Sequence, residues 1–303
     1  MEEIVISAEH DSASVAGCCY ALKGMYPFVK LRRVGKSVLG REIIGAQIGS
    51  GEAPVLFCAG FHGSERVAGL LILRYFHHLC DAWQRHSEIA GVRARRALDG
   101  RALLVIPAVN PDGWEIALRG PAAATASPPL AAKIERLCGK DHAHWNANAR
   151  GVDINHNFDA GWAAAQALER QHGIYGPSRT RYGGVSPESE PETAALAALC
   201  RSVPFAHALA FHSQGEEIYW NYGEHTPAKA LRMAQIFASS SGYTLSEPEG
   251  IASHAGFKDW FIDEFHRPGF TIEVGRGTNP LPPESLDEIY ARLEEMMTLA
   301  IIC

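Results

Sequence analysis

Five short, nearly unbroken apolar runs constrain this chain more than any other feature: residues 42–49 (EIIGAQIG), 54–61 (PVLFCAGF), 102–110 (ALLVIPAVN), 206–213 (AHALAFHS) and 270–275 (FTIEVG). A strand with one wet face alternates apolar and polar residues, whereas a continuous run fits a strand covered on both faces. Between the runs lie amphipathic stretches of helical length, Glu65–Trp83, Pro191–Arg201, Pro227–Ser240 and Pro283–Ile302. In the last, Leu286, Ile289, Tyr290, Leu293 and Met297 form one apolar stripe, read as a core-packing face. Strand–helix alternation predicts an α/β sandwich with one mostly parallel or mixed sheet. Residues 120–129, rich in Ala and Pro, and 175–191, rich in Gly, Pro and Ser, read as loops that rim a cleft. No internal repeat is evident, and the 303 residues are read as one domain, 1–303.

Composition removes several function classes. With 47% hydrophobic and 20% charged residues, the chain is neither disordered nor fibrous. Lys and Arg total 28 against 34 acidic residues, so there is no basic excess for nucleic acid, and no P-loop or zinc ribbon is present. Seven cysteines, an odd number with no CxxC pair, read as reduced, mostly buried thiols. The acidic opening MEEIVISAEHDSAS lacks the basic and apolar regions of a signal peptide. The run AGLLIL falls far short of the ~20 apolar residues that span a bilayer. A cytoplasmic protein with no membrane insertion is the expectation.

The run 54–61 leads straight into His62-Gly63-Ser64-Glu65. His and Glu at i and i+3 share one side of a helical turn. Strand carboxyl ends are where α/β sheets place ligands. Imidazole and carboxylate together suit zinc, and a catalytic zinc site takes three protein ligands and keeps a position open. An isolated HxxE occurs by chance among 14 His and 34 acids, and the His142–His144 pair is of that kind. A third ligand is expected from another strand end, and the run 206–213 ends in His212-Ser213-Gln214. Glu273 lies inside an apolar strand, where an unpaired carboxylate is costly. Burial raises its pKa and suits it to proton transfer; a structural pair with Arg276 is the other reading.

With these residues in place, the order GFHGSE, GVDINHNFDAGW, FHSQGEEIYW and FTIEVG resembles the zinc carboxypeptidases similar to carboxypeptidase A, from about residue 30 onward. The resemblance implies a three-layer α/β/α sandwich around a mixed central sheet and one Zn²⁺ held by His62, Glu65 and His212. It also implies Glu273 as general base to a zinc-activated water, Asp153 bracing His62, and Asn155 contacting a substrate carboxylate. WNANARGVDIN, FHSQGEEIYWNYG, AGFKDWF and FTIEVGRGTNPLP are more similar to the bacterial γ-D-glutamyl-L-diamino-acid peptidases, which cut peptidoglycan stem peptides.

The chain also departs from the digestive enzymes. His156 stands where they carry a carboxylate-clamping Arg, and imidazole does not replace a bidentate guanidinium. Asn146 stands at the oxyanion Arg, with Arg150 nearby as a cation. Ile251 stands at the closing Tyr, with His254 nearby as a polar substitute. Asn155, His156 and Arg276 are therefore expected to read the diamino acid's carboxylates. Glu216 and Glu217 are expected either to meet a side-chain ammonium or to stand as solvated charges. Two alternatives share this zinc set: an ordinary metallocarboxypeptidase, and an amidohydrolase of the aspartoacylase or succinylglutamate-desuccinylase type. A non-catalytic murein-peptide-binding module is a third.

Overall fold

All five apolar runs lie in one eight-stranded sheet. The computed structural model describes residues 10–247, 250 and 253–303. Most of the opening segment read above for a leader, and Ile251, lie outside the described residues. The chain begins with α1 (Ser12–Met25), β1 (Lys30–Lys36), β2 (Glu42–Gly49), β3 (Val55–Ala59) and α2 (Arg66–Arg85). A small hairpin, β4 (Glu88–Ile89) and β5 (Val92–Arg93), precedes α3 (Ala94–Ala97), β6 (Ala102–Ile106), α4 (Pro111–Arg119), α5 (Pro121–Ala124) and α6 (Pro128–Cys138). A 3-10 turn (Ile154–His156) leads to α7 (Trp162–Gln171), α8 (Pro191–Ser202), β7 (His207–His212) and β8 (Glu217–Tyr219). The chain continues through α9 (Lys229–Ser241), β9 (Thr244–Ser246), α10 (Phe257–Phe265), β10 (Gly269–Glu273) and α11 (Ser285–Ile302).

The strand order is β1-β2-β6-β3-β7-β10-β8-β9. The four central strands, β6, β3, β7 and β10, run parallel, while β1–β2, β2–β6 and β10–β8 pair antiparallel. The sheet is therefore mixed. Every residue of β3 is buried, and its side chains alternate between two cores. Val55, Phe57 and Ala59 join residues of α1, α2, α9 and α11, including Leu286, Ile289, Tyr290, Leu293 and Met297. Leu56 and Cys58 join Leu196, Ala197 and Cys200 of α8 and Phe257, Trp260 and Phe261 of α10. A strand's two-residue period sends neighbours to opposite faces, so an unbroken apolar run requires helices on both sides. Three layers result. At the outer edge β1 reads KLRRVGK, and its cations discourage edge-to-edge pairing.

The expectation of a loop over 120–129 is corrected. The segment holds α5 and the start of α6, each with Pro in its first turn. Proline's missing N–H is harmless there, and its fixed φ suits helix entry, so Pro marked starts rather than a loop. Residues 175–190 form no helix or strand, and Pro191 opens α8.

Candidate metal centre and adjoining cavity

Parallel pairing brings the functional ends together. Glu273, the last residue of β10, is in register with His212, the last of β7, and Ala59 of β3 is in register with Phe211. Beyond β3 the chain turns through Gly60 at φ +67 and closes with Glu65 N–H donating to the His62 carbonyl at 3.2 Å. Gly63 admits no side chain, since a Cβ there would lie 2.1 Å from the Gly113 carbonyl oxygen. That tight turn presents His62 and Glu65 on the same side.

His62 Nδ1 lies 2.8 Å from Glu65 Oε1, and His212 Nδ1 lies 2.9 Å from Glu65 Oε2. One ligand atom from each of the three residues falls within 4.8 Å of the others, a separation that suits one small cation. His62 Nε2 sits 3.1 Å from Asp153 Oδ1. Asp153 Oδ2 in turn accepts from Arg181 N–H at 2.8 Å and Thr180 Oγ1 at 3.3 Å. Such bracing fixes ring orientation and the tautomer of a metal-binding imidazole. Burial disfavours charge on His62, yet the Glu65 and Asp153 carboxylates outweigh it and hold its pKa well above the usual value. Burial likewise opposes ionisation of Glu65, but His62 and His212 pull its carboxyl down to about 2. Asp153 is pulled well below the carboxylate range despite burial, chiefly by His62. The donor set of two imidazoles and an ionised carboxylate, backed by a second ionised carboxylate, fits a dication.

A cavity of about 170 Å³ opens beside this group, lined by His62, His212, Glu273, Asn155, His156, His254, Tyr219, Thr271 and Lys258, among others. Burial, followed by the Glu65 and Glu217 carboxylates, pushes Glu273 well above the carboxylate range. Asn155 Oδ1 accepts from Phe257 N–H at 3.0 Å, which leaves its amide donors for a ligand. His156 Nδ1 is buried without a hydrogen-bond partner, 3.7 Å from Glu169. His254 Nδ1 meets the Tyr222 hydroxyl at 3.2 Å.

Other expected site residues lie elsewhere. Arg276 does not line the cavity; its guanidinium is 2.6 Å from Glu216 and largely exposed. Arg150 is also absent from the lining and approaches Glu190 at 3.5 Å. In both cases a buried carboxylate nearby holds the guanidinium. Glu216, held by Arg276 and Arg292, is not available to an ammonium. Glu217 accepts from the Tyr219 hydroxyl at 2.6 Å and from Ser246 at 3.2 Å, and it too lies off the lining. Asn146 Oδ1 accepts from Ser64 Oγ at 2.6 Å, outside the cavity wall.

Sequence reasoning passed over Lys258. Its side chain is 5% exposed, yet it lines the cavity, bonded to Asp259 and donating to the Asn221 carbonyl at 2.6 Å. A Lys-Asp pair set among the aromatic and apolar residues of FKDWFI was the available signal. Asn279 was also missed. Its amide donates to the Ser213 carbonyl at 2.6 Å and lies 3.5 Å from Glu65 Oε1, tying the segment before α11 to the metal group.

The model for zinc carboxypeptidases (Peptidase_M14) matches residues 17–297. Gamma-D-glutamyl-L-diamino acid endopeptidase 1 of Lysinibacillus sphaericus is 36% identical over 275 residues, covering 89% of this chain and 66% of that protein. The uncharacterized protein YqgT of Bacillus subtilis is 33% identical over 287 residues, covering 93% of this chain and 74% of that protein. The chain thus spans about two thirds to three quarters of these relatives' length. Bovine thrombin-activatable fibrinolysis inhibitor, solved with tick carboxypeptidase inhibitor, superposes with TM-score 0.73 at 18% identity, covering 97% of this chain and 95% of that one. Murein-tripeptide amidase MpaA from Escherichia coli O157 gives TM-score 0.53 at 22% identity over 93% of each chain. These structures share the fold, and with the match over nearly the whole sequence this chain belongs to the zinc carboxypeptidase family of metallopeptidases.

Proposed function

We propose that this protein is a cytoplasmic, single-domain zinc peptidase that hydrolyses the bond between γ-D-glutamate and a diamino acid in peptidoglycan stem peptides. The observation that carries this reading is one cavity whose lining brings His62 and His212 of the His62–Glu65–His212 group together with Glu273, Asn155 and the paired Lys258 and Asp259. The named L. sphaericus relative points to the same bond. Among the described residues no helix is long and apolar enough to cross a membrane. The cytoplasmic assignment is supported by seven unpaired cysteines, six of them buried.

His62, Glu65 and His212 would hold one zinc ion, which when bound supplies Lewis acidity and makes water a nucleophile near neutral pH. The chain's own groups do the rest. Glu273, raised in pKa and fixed at a strand end, takes a proton from the attacking water and delivers it to the leaving amine. Asp153 keeps His62 oriented. Asn155, through its free amide donors, holds the leaving residue's α-carboxylate, and His156 adds a polar contact beside it. Lys258, although it is shared with Asp259 in the same lining, keeps a donor for a second carboxylate at the far end of that residue, as diaminopimelate carries and lysine does not.

The test is a substrate panel for the zinc-loaded protein: L-Ala-γ-D-Glu-meso-diaminopimelate, hippuryl peptides and N-acyl amino acids. Release of diaminopimelate is expected. Turnover of only the other two classes would replace this reading with an ordinary carboxypeptidase or an amidohydrolase, and binding without cleavage would mark a recognition module.

A further inference from the structure

Arg66 stands directly after Glu65, at the head of α2, and is partly buried. Its Nε is buried and has no hydrogen-bond partner, and among the described residues no carboxylate pairs with its guanidinium. Other largely buried cations here are matched: Lys258 by Asp259, Arg41 by Asp112, Arg292 by Glu216. A buried Nε left unpaired costs stability, and the partly open planar fork is suited to a carboxylate brought by a ligand.

The place of Arg66 indicates which carboxylate. It lines a small cleft with Ser64 and the apolar Val67, Leu70 and Leu281, and this cleft shares no lining residue with the cavity that holds Lys258. Glu65 links the two recesses: it is bonded to His62 and His212 of the cavity lining, and its chain neighbours Ser64 and Arg66 border the cleft. Asn279, which contacts Glu65, runs straight into Pro280 of the cleft wall. The cavity is assigned above to the leaving diamino acid, so the acyl part of the substrate extends toward the cleft. A γ-linked D-glutamyl unit carries its free α-carboxylate there, a few bonds from the scissile carbonyl.

Resting on that functional reading, we propose that Arg66 is a specificity-determining residue that binds the α-carboxylate of the D-glutamyl unit. It selects stem peptides in which this group is free over those in which it is amidated. Val67, Leu70 and Leu281 supply the apolar walls that keep water from competing.

The experiment compares kcat/KM for L-Ala-γ-D-Glu-meso-diaminopimelate and its D-isoglutaminyl twin in wild type, Arg66→Gln and Arg66→Lys, with zinc content and melting temperature measured for each. Wild type is expected to prefer the free acid by about tenfold or more, the size of a hydrogen bond to a charged group. Arg66→Gln collapses the ratio toward one, and Arg66→Lys keeps part of it. Binding of the product dipeptide L-Ala-D-Glu and its α-amide, followed by calorimetry, shows the same order in wild type. Equal rates on both twins in wild type, a preference that survives Arg66→Gln, or an equal loss on both twins would each overturn the role of Arg66. Failure of wild type to cleave either twin, with hippuryl peptides cleaved, would instead sink the γ-glutamyl reading itself.

Discussion

The metal group and the substrate cavity touch each other, yet they are built differently. His212 and Glu273 end neighbouring parallel strands, His62 and Glu65 follow β3 in a tight turn, and Asp153 is itself held by a backbone N–H. The cavity's recognition residues come instead from the 3-10 turn (Asn155, His156), an irregular segment (His254) and the start of α10 (Lys258). Metal binding tolerates only small positional errors, so its donors sit on rigid elements whose register is fixed by ladder hydrogen bonds. The residues proposed for recognition sit instead on turns, an irregular segment and one helix start, where substitution can change the ligand without disturbing the sheet.

The contrast can be broken by substitution. Glu273→Gln should retain zinc and lose about 10²–10⁴-fold in turnover, as loss of a general base does; elemental analysis and kcat/KM check both halves, and a residual rate above about a tenth would refute the assignment. Asp153→Asn should weaken zinc affinity by about 10–100-fold, the usual cost of losing a group that orients a ligand imidazole. A chelator-competition titration measures it, and an unchanged affinity would show that the turn alone fixes His62. Lys258→Met should narrow the ratio of kcat/KM between the meso-diaminopimelate peptide and its L-lysine twin by about tenfold, with zinc content intact. Zinc loss in that variant would mean the two halves are not separable.

The smallest effect concerns a buried acid outside both halves. Burial, with Asp112 nearby, pushes the Glu192 carboxyl up to about 7, although the Val38 N–H and Asn148 bonds pull it down. Between its ordinary 4.5 and that value the folded protein holds a proton that the unfolded chain releases, so stability falls as pH rises through this window. Glu192→Gln removes that slope. Its melting temperature should gain on wild type's between about pH 5 and about pH 8, and a constant difference would refute the shift. Glu192 and Glu273 are both raised, but only Glu273 faces the cavity; a displaced pKa marks a working acid only where geometry gives it something to work on.

The same contrast separates what could be read early from what could not. HGSE, the strand-end His212 and Glu273 could be singled out early because spacing within a turn and position at a strand end are local features, and the structure brings these side chains together. Arg150 and Arg276 were expected at the substrate and lie instead beside Glu190 and Glu216. Nothing local in the sequence says which carboxylate a guanidinium will choose. Lys258 was hidden for the converse reason: an adjacent Lys-Asp pair at a helix start reads as solvated until the helix is seen turning both inward.

By itself, then, the sequence determined the layered fold, since unbroken apolar runs can be stable only between two helical layers, and it marked His62, Glu65, His212 and Glu273 by their places at strand ends and in one turn. The tertiary structure alone decided which cations line the recesses. Arg66 lines a recess unpaired and Lys258 lines one beside its partner Asp259, while Arg150 and Arg276 are drawn to carboxylates away from the cavity, because ion pairing acts through space and is set by which elements the sheet brings side by side.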